Sequence, residues 1–243
     1  MEKVIFVALE QGDAAPVDST ALVARAAESL DADRYPDVSV QVEDGDASDR
    51  WQWRRPPSEW RAVATLAVWT ECADDVNDVE RIVRELSSRF AGFVVTEAVP
   101  RREGARPTRA GEPQPGATVT SLLCRASGLT RDQFLQHWYD VHMPMSLRIH
   151  PQRTYVRNVV SRVLTPGAPA VDAICEEGFA EVDDVLDQSR FFGADDAERD
   201  WRKSRAAIGE DIPKFLDPAG TMTSIMREYR VRDFRATLGP ARE

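Results

Sequence analysis

The sequence predicts an α+β fold made of two tandem β-α-β-β-α-β units, residues 1–100 and 117–243, whose sheets pack against each other. Three observations predict it. Strand and helix patterns follow this order over the first hundred residues, and the same order returns in the second half. Each sheet would carry helices on one face, so its other face needs a cover to bury its apolar side chains.

The first unit shows the two periodicities that separate strands from helices. Continuous or alternating apolar residues predict strands over 4–9, 38–42, 62–70 and 93–96. One helix starts at the N-caps Asp18 and Ser19, and another starts at Asp75 and carries apolar residues up to Leu86. The polar stretch 44–57 is predicted to be a loop. This order is the split βαβ of a ferredoxin-like domain.

The second unit follows residues 101–116, which are rich in proline, glycine and arginine and are predicted to form a linker. Thr130 caps the first helix of this unit. Pro144 is expected to end or kink that helix, because proline lacks the N–H that a helix interior uses. Further helical pieces are expected over 183–192 and 197–208. Strands are predicted over 117–125, 155–164, 173–182 and 221–231.

Composition excludes several classes of partner. The net charge of -10 argues against nucleic acid and against an anionic membrane surface. The N-terminus shows no signal-peptide pattern, and no apolar stretch reaches the length of a membrane span. Cys72, Cys124 and Cys175 are widely spaced and form no zinc-binding pattern. They are expected to be buried, and they fit a reducing, cytoplasmic environment.

The three histidines of the chain, His137, His142 and His150, fall within fourteen positions. Histidine is the side chain whose ordinary pKa lets it exchange protons near neutral pH. Acid–base chemistry by imidazole is therefore expected in this segment. His150 precedes Pro151 in a predicted loop and is expected to be a plain surface residue.

Several short motifs of the second unit form a recognisable set. They are Gly-Leu-Thr at 128–130, Phe134, Trp-x-x-x-His-x-Pro at 138–144, Arg-x-Tyr-Val-x-Asn at 153–158 and Asp-x-Ile-x-Glu at 172–176. Together they resemble the EthD-domain family, which is part of the dimeric α+β barrel superfamily. His137 stands where this family usually has tyrosine, and Met145 stands where it usually has leucine.

The resemblance implies an α+β barrel, which relatives normally build from two chains. Here the first unit would be a degenerate copy that completes the barrel within one chain, as a monomer or as a homodimer of such barrels. Relatives include polyketide cyclases, isomerases, dehydratases, decarboxylases and haem-binding proteins. Most of the small-molecule enzymes work without metal or organic cofactor, on hydrophobic substrates held between the sheet and its helices. The fold does not select among these activities.

We therefore predict a cofactor-independent acid/base enzyme, a lyase, cyclase or isomerase, that acts on an aromatic or polyketide-like small molecule. His142 would be the general acid or base. Asp140 or Asp172 would orient its imidazole, and His137 could be a second proton-transfer group. Two structural interpretations stay open. His142 could bond to a nearby backbone carbonyl, and His137 could be a half-buried ring.

Substrate contacts are predicted from aromatic and polar side chains. Trp138 and Trp69 would wall the pocket. Tyr155 would polarise a substrate oxygen, or it would be an aromatic residue of the barrel core. Tyr155 and Asn158 lie three apart on one strand, so they point to opposite faces and only one of them can face a given cavity.

Two acidic residues are further candidates. Asp172 and Glu176 are separated by an even number of residues and would share a face of their strand. Buried carboxyls there would have raised pKa values and could shuttle protons. Salt bridges to Arg153 or Arg157 are the structural alternative.

The aromatic and arginine-rich segment Trp51–Trp60 is predicted to be a lid or an interface, and as an interface it would make the protein an accessory subunit. No nucleotide-binding loop and no metal-binding histidine pair is present in the sequence. His137 and His142 are five apart, so they are expected to diverge on an α-helix. One imidazole suffices to bind haem, so a non-catalytic ligand- or haem-binding module is the alternative.

Overall fold

A computed structural model of the chain describes residues 1–12, 15–51, 53, 60–103, 108–193 and 200–234. Its strands close into one eight-stranded barrel, and the helices lie outside it. The strands are β1 Glu2–Gln11, β2 Asp37–Glu43, β3 Trp60–Thr70, β4 Arg89–Arg102, β5 Ala117–Leu123, β6 Thr154–Val163, β7 Ala173–Phe179 and β8 Met222–Arg232. The helices are α1 Ser19–Ser29, α2 Gly45–Arg50, α3 Asn77–Leu86, α4 Arg131–His137, α5 Met143–Ile149, α6 Asp183–Leu186, α7 Gln188–Gly193 and α8 Trp201–Asp211. A π-helical turn covers Trp138–His142, and a 3₁₀ turn covers Ile212–Lys214.

Neighbouring strands are antiparallel, and their order around the barrel is β1-β3-β2-β8-β5-β7-β6-β4. The first four strands and the last four follow the same relative order. The halves join along two seams, β2 with β8 and β4 with β6. Val40 lies opposite Tyr229 at one seam, and Val95 lies opposite Val160 at the other. The predicted α+β class and the barrel are confirmed.

Apolar side chains fill the barrel and the layer outside its first half. Ile5, Phe93 and Ile174 are fully buried inside the barrel. Helices α1 and α3 cover the first four strands, and Leu22 and Val79 are buried on their inner faces. The helical spacing seen in the sequence places these residues on one side of each helix.

Two predicted irregular segments are partly ordered. Residues 45–50 of the predicted loop form α2, because the Asp44 side chain accepts a hydrogen bond from the Ala47 N–H and caps the helix. Strand β4 continues to Arg102, well past the predicted end at 96. Part of the predicted linker lies along β8, where the N–H of Gly111 donates to the Arg230 carbonyl at 2.8 Å. Residues 104–107 lie outside the described part of the chain.

The helix that carries the histidines does not end at Pro144. The Met143 N–H donates to the Trp138 carbonyl, five residues earlier, and the chain stays helical to Ile149. Pro144 is the second residue of α5, and the first turn of a helix tolerates proline. Of the two expected effects of this proline, ending the helix was wrong, and a kink stays a prediction.

The remaining boundaries differ by a few residues. The predicted helix over 183–192 is two short helices, α6 and α7, separated at Asp187. Helix α8 begins at Trp201 and runs to Asp211, three residues past the predicted end. Cys175 is buried as expected, but Cys72 is exposed. Across the described residues, no helix combines the length and the apolar character needed to span a membrane.

Candidate functional site

A cavity of about 390 Å³ lies between the outer face of the second-half sheet and the helices that cover it. Small-molecule sites commonly have volumes of this order. The helix side of the wall includes Trp138, His142, Ser146 and Ile208. The strand side includes Val119, Tyr155, Cys175 and Glu177. Helices α1 and α3 contribute no residue to it, so the cavity belongs to the second-half layer.

Two of the predicted histidines share one carboxylate at the edge of this cavity. His142 Nδ1 lies 3.0 Å from Asp211 Oδ2, and His137 Nε2 lies 2.9 Å from Asp211 Oδ1. The Asp211 side chain is only 3% exposed. Both imidazoles pack on the Phe215 ring, with centroids 4.7 and 5.1 Å away. His142 lines the cavity, whereas His137 does not.

Burial and the shared carboxylate set the protonation of this group. Burial lowers the pKa of His142, although Asp211 opposes this effect. Burial alone would raise the pKa of Asp211, but the hydrogen bonds from His142 and His137 lower it. Asp211 is thus ionised and His142 neutral near pH 7, so Nδ1 donates to the carboxylate. Nε2 then carries the free electron pair, and no described residue is hydrogen-bonded to it.

The π-helical turn explains why His137 and His142 meet. On an α-helix, residues five apart lie about 140° apart around the axis. The i to i+5 turn between Trp138 and Met143 accommodates one extra residue, so both rings reach the same side. The expected divergence of the two histidines was therefore wrong. Such turns are frequent at functional sites.

The carboxylate that holds the imidazoles is neither of those predicted. Asp140 is exposed, and Asp172 forms a salt bridge at 2.5 Å to Arg125 rather than to Arg153 or Arg157. Asp172 also accepts a hydrogen bond from the Arg125 N–H at 3.0 Å. Sequence reasoning missed Asp211, because it is about seventy positions away and lay beyond the predicted end of its helix.

The strand residues divide between two faces, as their spacing predicted. Tyr155 lines the cavity, and its hydroxyl oxygen accepts a hydrogen bond from Trp138 Nε1 at 3.0 Å. Asn158 faces the barrel interior, where its Oδ1 accepts from Lys3 Nζ at 2.9 Å. The prediction that Asn158 contacts the substrate of this cavity was wrong, because the strand pleat turns it inward.

Two other predicted contacts also lie away from this cavity. Glu176 and Trp69 border a separate small polar pocket beside Lys3. Burial raises the pKa of Glu176, while Lys3 opposes this rise. Trp69 contacts Phe234 at a ring distance of 6.5 Å, so it does not wall the cavity together with Trp138.

Glu177, the residue after Glu176 in β7, is the acidic residue of this strand that lines the cavity. Glu177 lies directly opposite Tyr155 in the sheet, and its Oε1 accepts a hydrogen bond from Ser146 Oγ at 3.1 Å. Burial raises the pKa of Glu177 to about 7, although the Ser146 hydrogen bond opposes this rise. Sequence spacing did not single out Glu177, because the register that pairs it with Tyr155 across β6 and β7 decides which residues of β7 face the helices.

His150 was expected at the surface but is buried. Its Nδ1 donates to the Phe191 carbonyl at 2.8 Å, and its ring centroid lies 4.1 Å from that of Phe191. Burial lowers the pKa of His150 to about 4, so the ring is neutral at physiological pH. His150 also lines the cavity. The expectation failed because α7 packs over the loop before Pro151 and excludes water from it.

The described residues of the Trp51–Trp60 segment form one wall of the cavity. Trp51, Trp53 and Trp60 line it. Trp53 Nε1 donates to the Leu186 carbonyl at 2.9 Å, and its ring packs against Phe191 at 5.0 Å. Residues 52 and 54–59 of this predicted loop lie outside the described residues. The described contacts favour the lid interpretation, because the first half reaches over the second-half site.

Among the described residues, no cluster of three histidine, cysteine or acidic side chains is placed to hold a metal ion. The site therefore combines the His142–Asp211 pair, a second histidine and the half-buried carboxyl of Glu177 with aromatic rings. This arrangement can move protons to and from an apolar ligand.

Comparisons with known proteins agree with this architecture. Residues 126–219 match the model of the EthD domain, as the motifs predicted. No curated protein sequence matches the chain. An anthrone oxidase-like protein of known structure is similar over 96% of this chain and 94% of its own, with a TM-score of 0.59 and 11% identity.

Two further structures of known proteins are similar at lower TM-scores. A dye-decolorizing peroxidase from Bacteroides thetaiotaomicron is similar over 98% of this chain and 96% of its own, with a TM-score of 0.47 and 12% identity. A variant of chlorite dismutase from Candidatus Nitrospira defluvii is similar over 93% and 90%, with a TM-score of 0.43 and 10% identity. At 11% identity, the likeness to the anthrone oxidase-like protein shows a common fold alone.

Proposed function

With an EthD domain forming the C-terminal half of the chain, we propose that the protein is a cofactor-independent acid/base enzyme acting on a hydrophobic aromatic or polyketide-like ketone. The reaction class is removal of a proton next to a carbonyl, as in lyases, cyclases and isomerases. One observation carries the proposal. Asp211 accepts from Nδ1–H of His142, a residue of the cavity wall, so Nε2 is the ring nitrogen left to accept a proton.

The first chemical step follows from this geometry. A C–H bond of the substrate breaks, its proton goes to His142 Nε2, and its electron pair moves onto the carbonyl oxygen as an enolate. The imidazolium that forms lies beside the ionised Asp211, which stabilises its charge. Tyr155 would keep its proton and donate a hydrogen bond to the enolate oxygen. That hydroxyl already accepts from Trp138, and a donor that also accepts is polarised and strengthened.

The cavity wall supports a flat, apolar substrate. Trp53, Trp138, Phe191 and Phe215 present rings to the cavity, and aromatic side chains favour offset or edge contacts with aromatic ligands. His150 and Tyr155 are uncharged there. Apolar surroundings around His142 and the 3% exposed Asp211 strengthen the interaction between the imidazolium and Asp211 during the reaction.

The proposal is tested with allyl phenyl ketone, an aromatic ketone with acidic α-hydrogens. In D₂O, the protein should catalyse exchange of these hydrogens for deuterium, measured by NMR. His142→Ala should remain folded, as judged by circular dichroism, and lower the exchange rate by about two to four orders of magnitude. Val141→Ala, an exposed neighbour on the same turn, is the matched control. Exchange by His142→Ala within about threefold of the parent would rule out the assignment.

A haem-binding module is the second candidate, because the His142–Asp211 pair suits a histidine that would bind iron. Histidines that bind metal usually donate their other ring N–H to a carboxylate, as His142 does to Asp211. His142 Nε2 would hold the iron, and Arg61 and Arg205 on the cavity wall would pair with the porphyrin carboxylates. Bound haem would supply redox chemistry. A Soret band after hemin addition that disappears in His142→Ala would favour this candidate, and no band would exclude it.

We further propose that residues 1–100 and 117–243 are two fused ferredoxin-like units and that one chain is its own dimer partner. The common strand order of the two halves and the two seams between them support this. Light scattering at about 27.2 kDa with full exchange activity would agree with a self-sufficient chain.

A further inference from the structure

A second ionisable group lies on the cavity wall that the proposed function does not use. Glu177 projects from β7, whereas His142 belongs to the helical wall opposite the sheet. Among the described residues, Glu177 forms no ion pair, and its hydrogen bond comes from the neutral Ser146 hydroxyl. A carboxyl without a cation, in contact with a ligand cavity, needs an explanation beyond packing.

The hydrogen bonds around Glu177 have a fixed direction. Gln152 Nε2 donates to Ser146 Oγ at 3.3 Å, so the single proton of this hydroxyl is free to point to Glu177 Oε1. Ser146 and Gln152 are 1% and 2% exposed, so water does not compete for these contacts. The arrangement holds one oxygen of Glu177 and leaves Oε2 without a hydrogen-bonding partner among the described residues.

The group can exist in both protonation states near neutral pH. Burial favours the neutral carboxylic acid, and the Ser146 hydrogen bond favours the carboxylate, which leaves the pKa at about 7. His142, in contrast, has its pKa lowered by burial and is neutral at this pH. The cavity therefore carries a proton acceptor on its helical wall and a proton donor on its strand wall.

We propose that Glu177 is a second catalytic residue, which returns a proton to a different carbon of the substrate from the one that His142 deprotonates. This rests on the proposed function and narrows it to isomerisation, in which a proton moves within the substrate and nothing is lost. Ser146 and Gln152 are positioning residues that hold Glu177.

The reaction balances without an oxidant or a further reactant. His142 Nε2 takes the α-proton, and the electron pair of the broken C–H bond forms a dienolate. The O–H bond of Glu177 then breaks, its proton forms a new C–H bond at the γ-carbon, and the carbonyl group is restored. His142 is left protonated and Glu177 ionised, and solvent carries the proton from one back to the other.

Allyl phenyl ketone separates the two proton transfers. Exchange at its α-carbon reports the first transfer, and conversion to the conjugated propenyl phenyl ketone reports the second. In Glu177→Gln we expect the ratio of conversion to α-exchange to fall by about two to four orders of magnitude. His142→Ala should abolish both. The matched control is Glu176→Gln, which changes the neighbouring carboxyl on the other face of β7 and should keep both reactions.

A pH profile distinguishes a proton donor from a structural carboxyl. Conversion should decline as pH rises through about 7, because ionised Glu177 has no proton to give. Ser146→Ala removes the hydrogen bond that favours the carboxylate, so this decline should move to higher pH. A ratio of conversion to α-exchange in Glu177→Gln within about threefold of the parent, or α-exchange by the parent without any conjugated product, would overturn the proposal. In either case, α-exchange that is lost in His142→Ala still supports the proposed function. If α-exchange survives in His142→Ala, both the proposed function and the role of Glu177 are contradicted.

Discussion

At the scale of single residues, hydrogen-bond partners decide what each ionisable side chain of the site can do. Burial keeps His142 and His150 neutral, while Asp211 and the Phe191 carbonyl accept from Nδ1 and so leave Nε2 of each ring unprotonated. Sequence reasoning identified His142 and Tyr155, because residue type and motif position carry that information. It missed Asp211 and Glu177, because their importance comes from neighbours that are distant along the chain.

The buried carboxyl gives a prediction that does not depend on any substrate. Glu177 has a pKa of about 7 in the folded protein and an ordinary value of 4.5 when unfolded. The stabilising preference for the neutral form is complete below pH 4.5 and is lost as pH rises through 7. Urea unfolding should therefore show that Glu177→Gln and the parent have similar stability at pH 4. At pH 8 the variant should be more stable, by up to about 3 kcal/mol.

Glu210→Gln, on the exposed side of α8, is the control and should change stability equally little at both pH values. A Glu177→Gln protein that is less stable than the parent at pH 8 would contradict the assignment of a raised pKa.

At the scale of elements, the π-helical turn and the tryptophan segment make the site. Strands and the two long first-half helices could be predicted, because apolar periodicity reports which face is buried. The π-helical turn could not be predicted, because the search for apolar periodicity assumes the regular 3.6-residue repeat of an α-helix. For the same reason, the five-residue spacing of His137 and His142 misled the sequence argument.

The tryptophan segment gives the prediction at this scale. Trp53→Ala removes the ring that contacts Trp51, Phe191 and Phe192, and it also removes the hydrogen bond to Leu186. The cavity should become wetter, so KM for allyl phenyl ketone should rise by about tenfold or more, because truncating a buried aromatic anchor commonly costs about 2 kcal/mol of binding. Trp201→Ala, which alters a tryptophan outside the cavity wall, should leave KM within about twofold. Equal effects of both changes on KM would argue against a lid.

At the scale of the whole molecule, a buried charge network ties the two halves together. Lys3 of β1 donates to Glu97 of β4 at 2.8 Å and to Asn158 of β6 at 2.9 Å, inside the barrel and next to a seam. The Lys3 and Glu97 side chains are 7% and 9% exposed. The repeated strand order made the barrel predictable from the sequence. The Lys3 network was not predictable from the sequence, because it joins residues about one hundred and fifty positions apart.

Breaking this network from one side should destabilise the whole barrel. Lys3→Met leaves Glu97 buried without this cation, and removing one partner of a buried ion pair costs about 3–5 kcal/mol. Urea unfolding of Lys3→Met should show a loss of this size, and the double variant Lys3→Met/Glu97→Gln should recover much of it. A loss below about 1 kcal/mol in the single variant would show that the pair contributes like a surface ion pair.

The closure of the barrel by a single chain has a consequence for how its two halves can change. In a ring of two identical subunits, every mutation is duplicated, so both copies of a pocket must be kept or lost together. Here each mutation occurs once. Helices α1 and α3 only pack against the first-half sheet. The opposite helical layer keeps a cavity, and tryptophans of the first half form part of its wall. Two halves of one chain can diverge in this way, whereas two identical subunits of a symmetric barrel cannot.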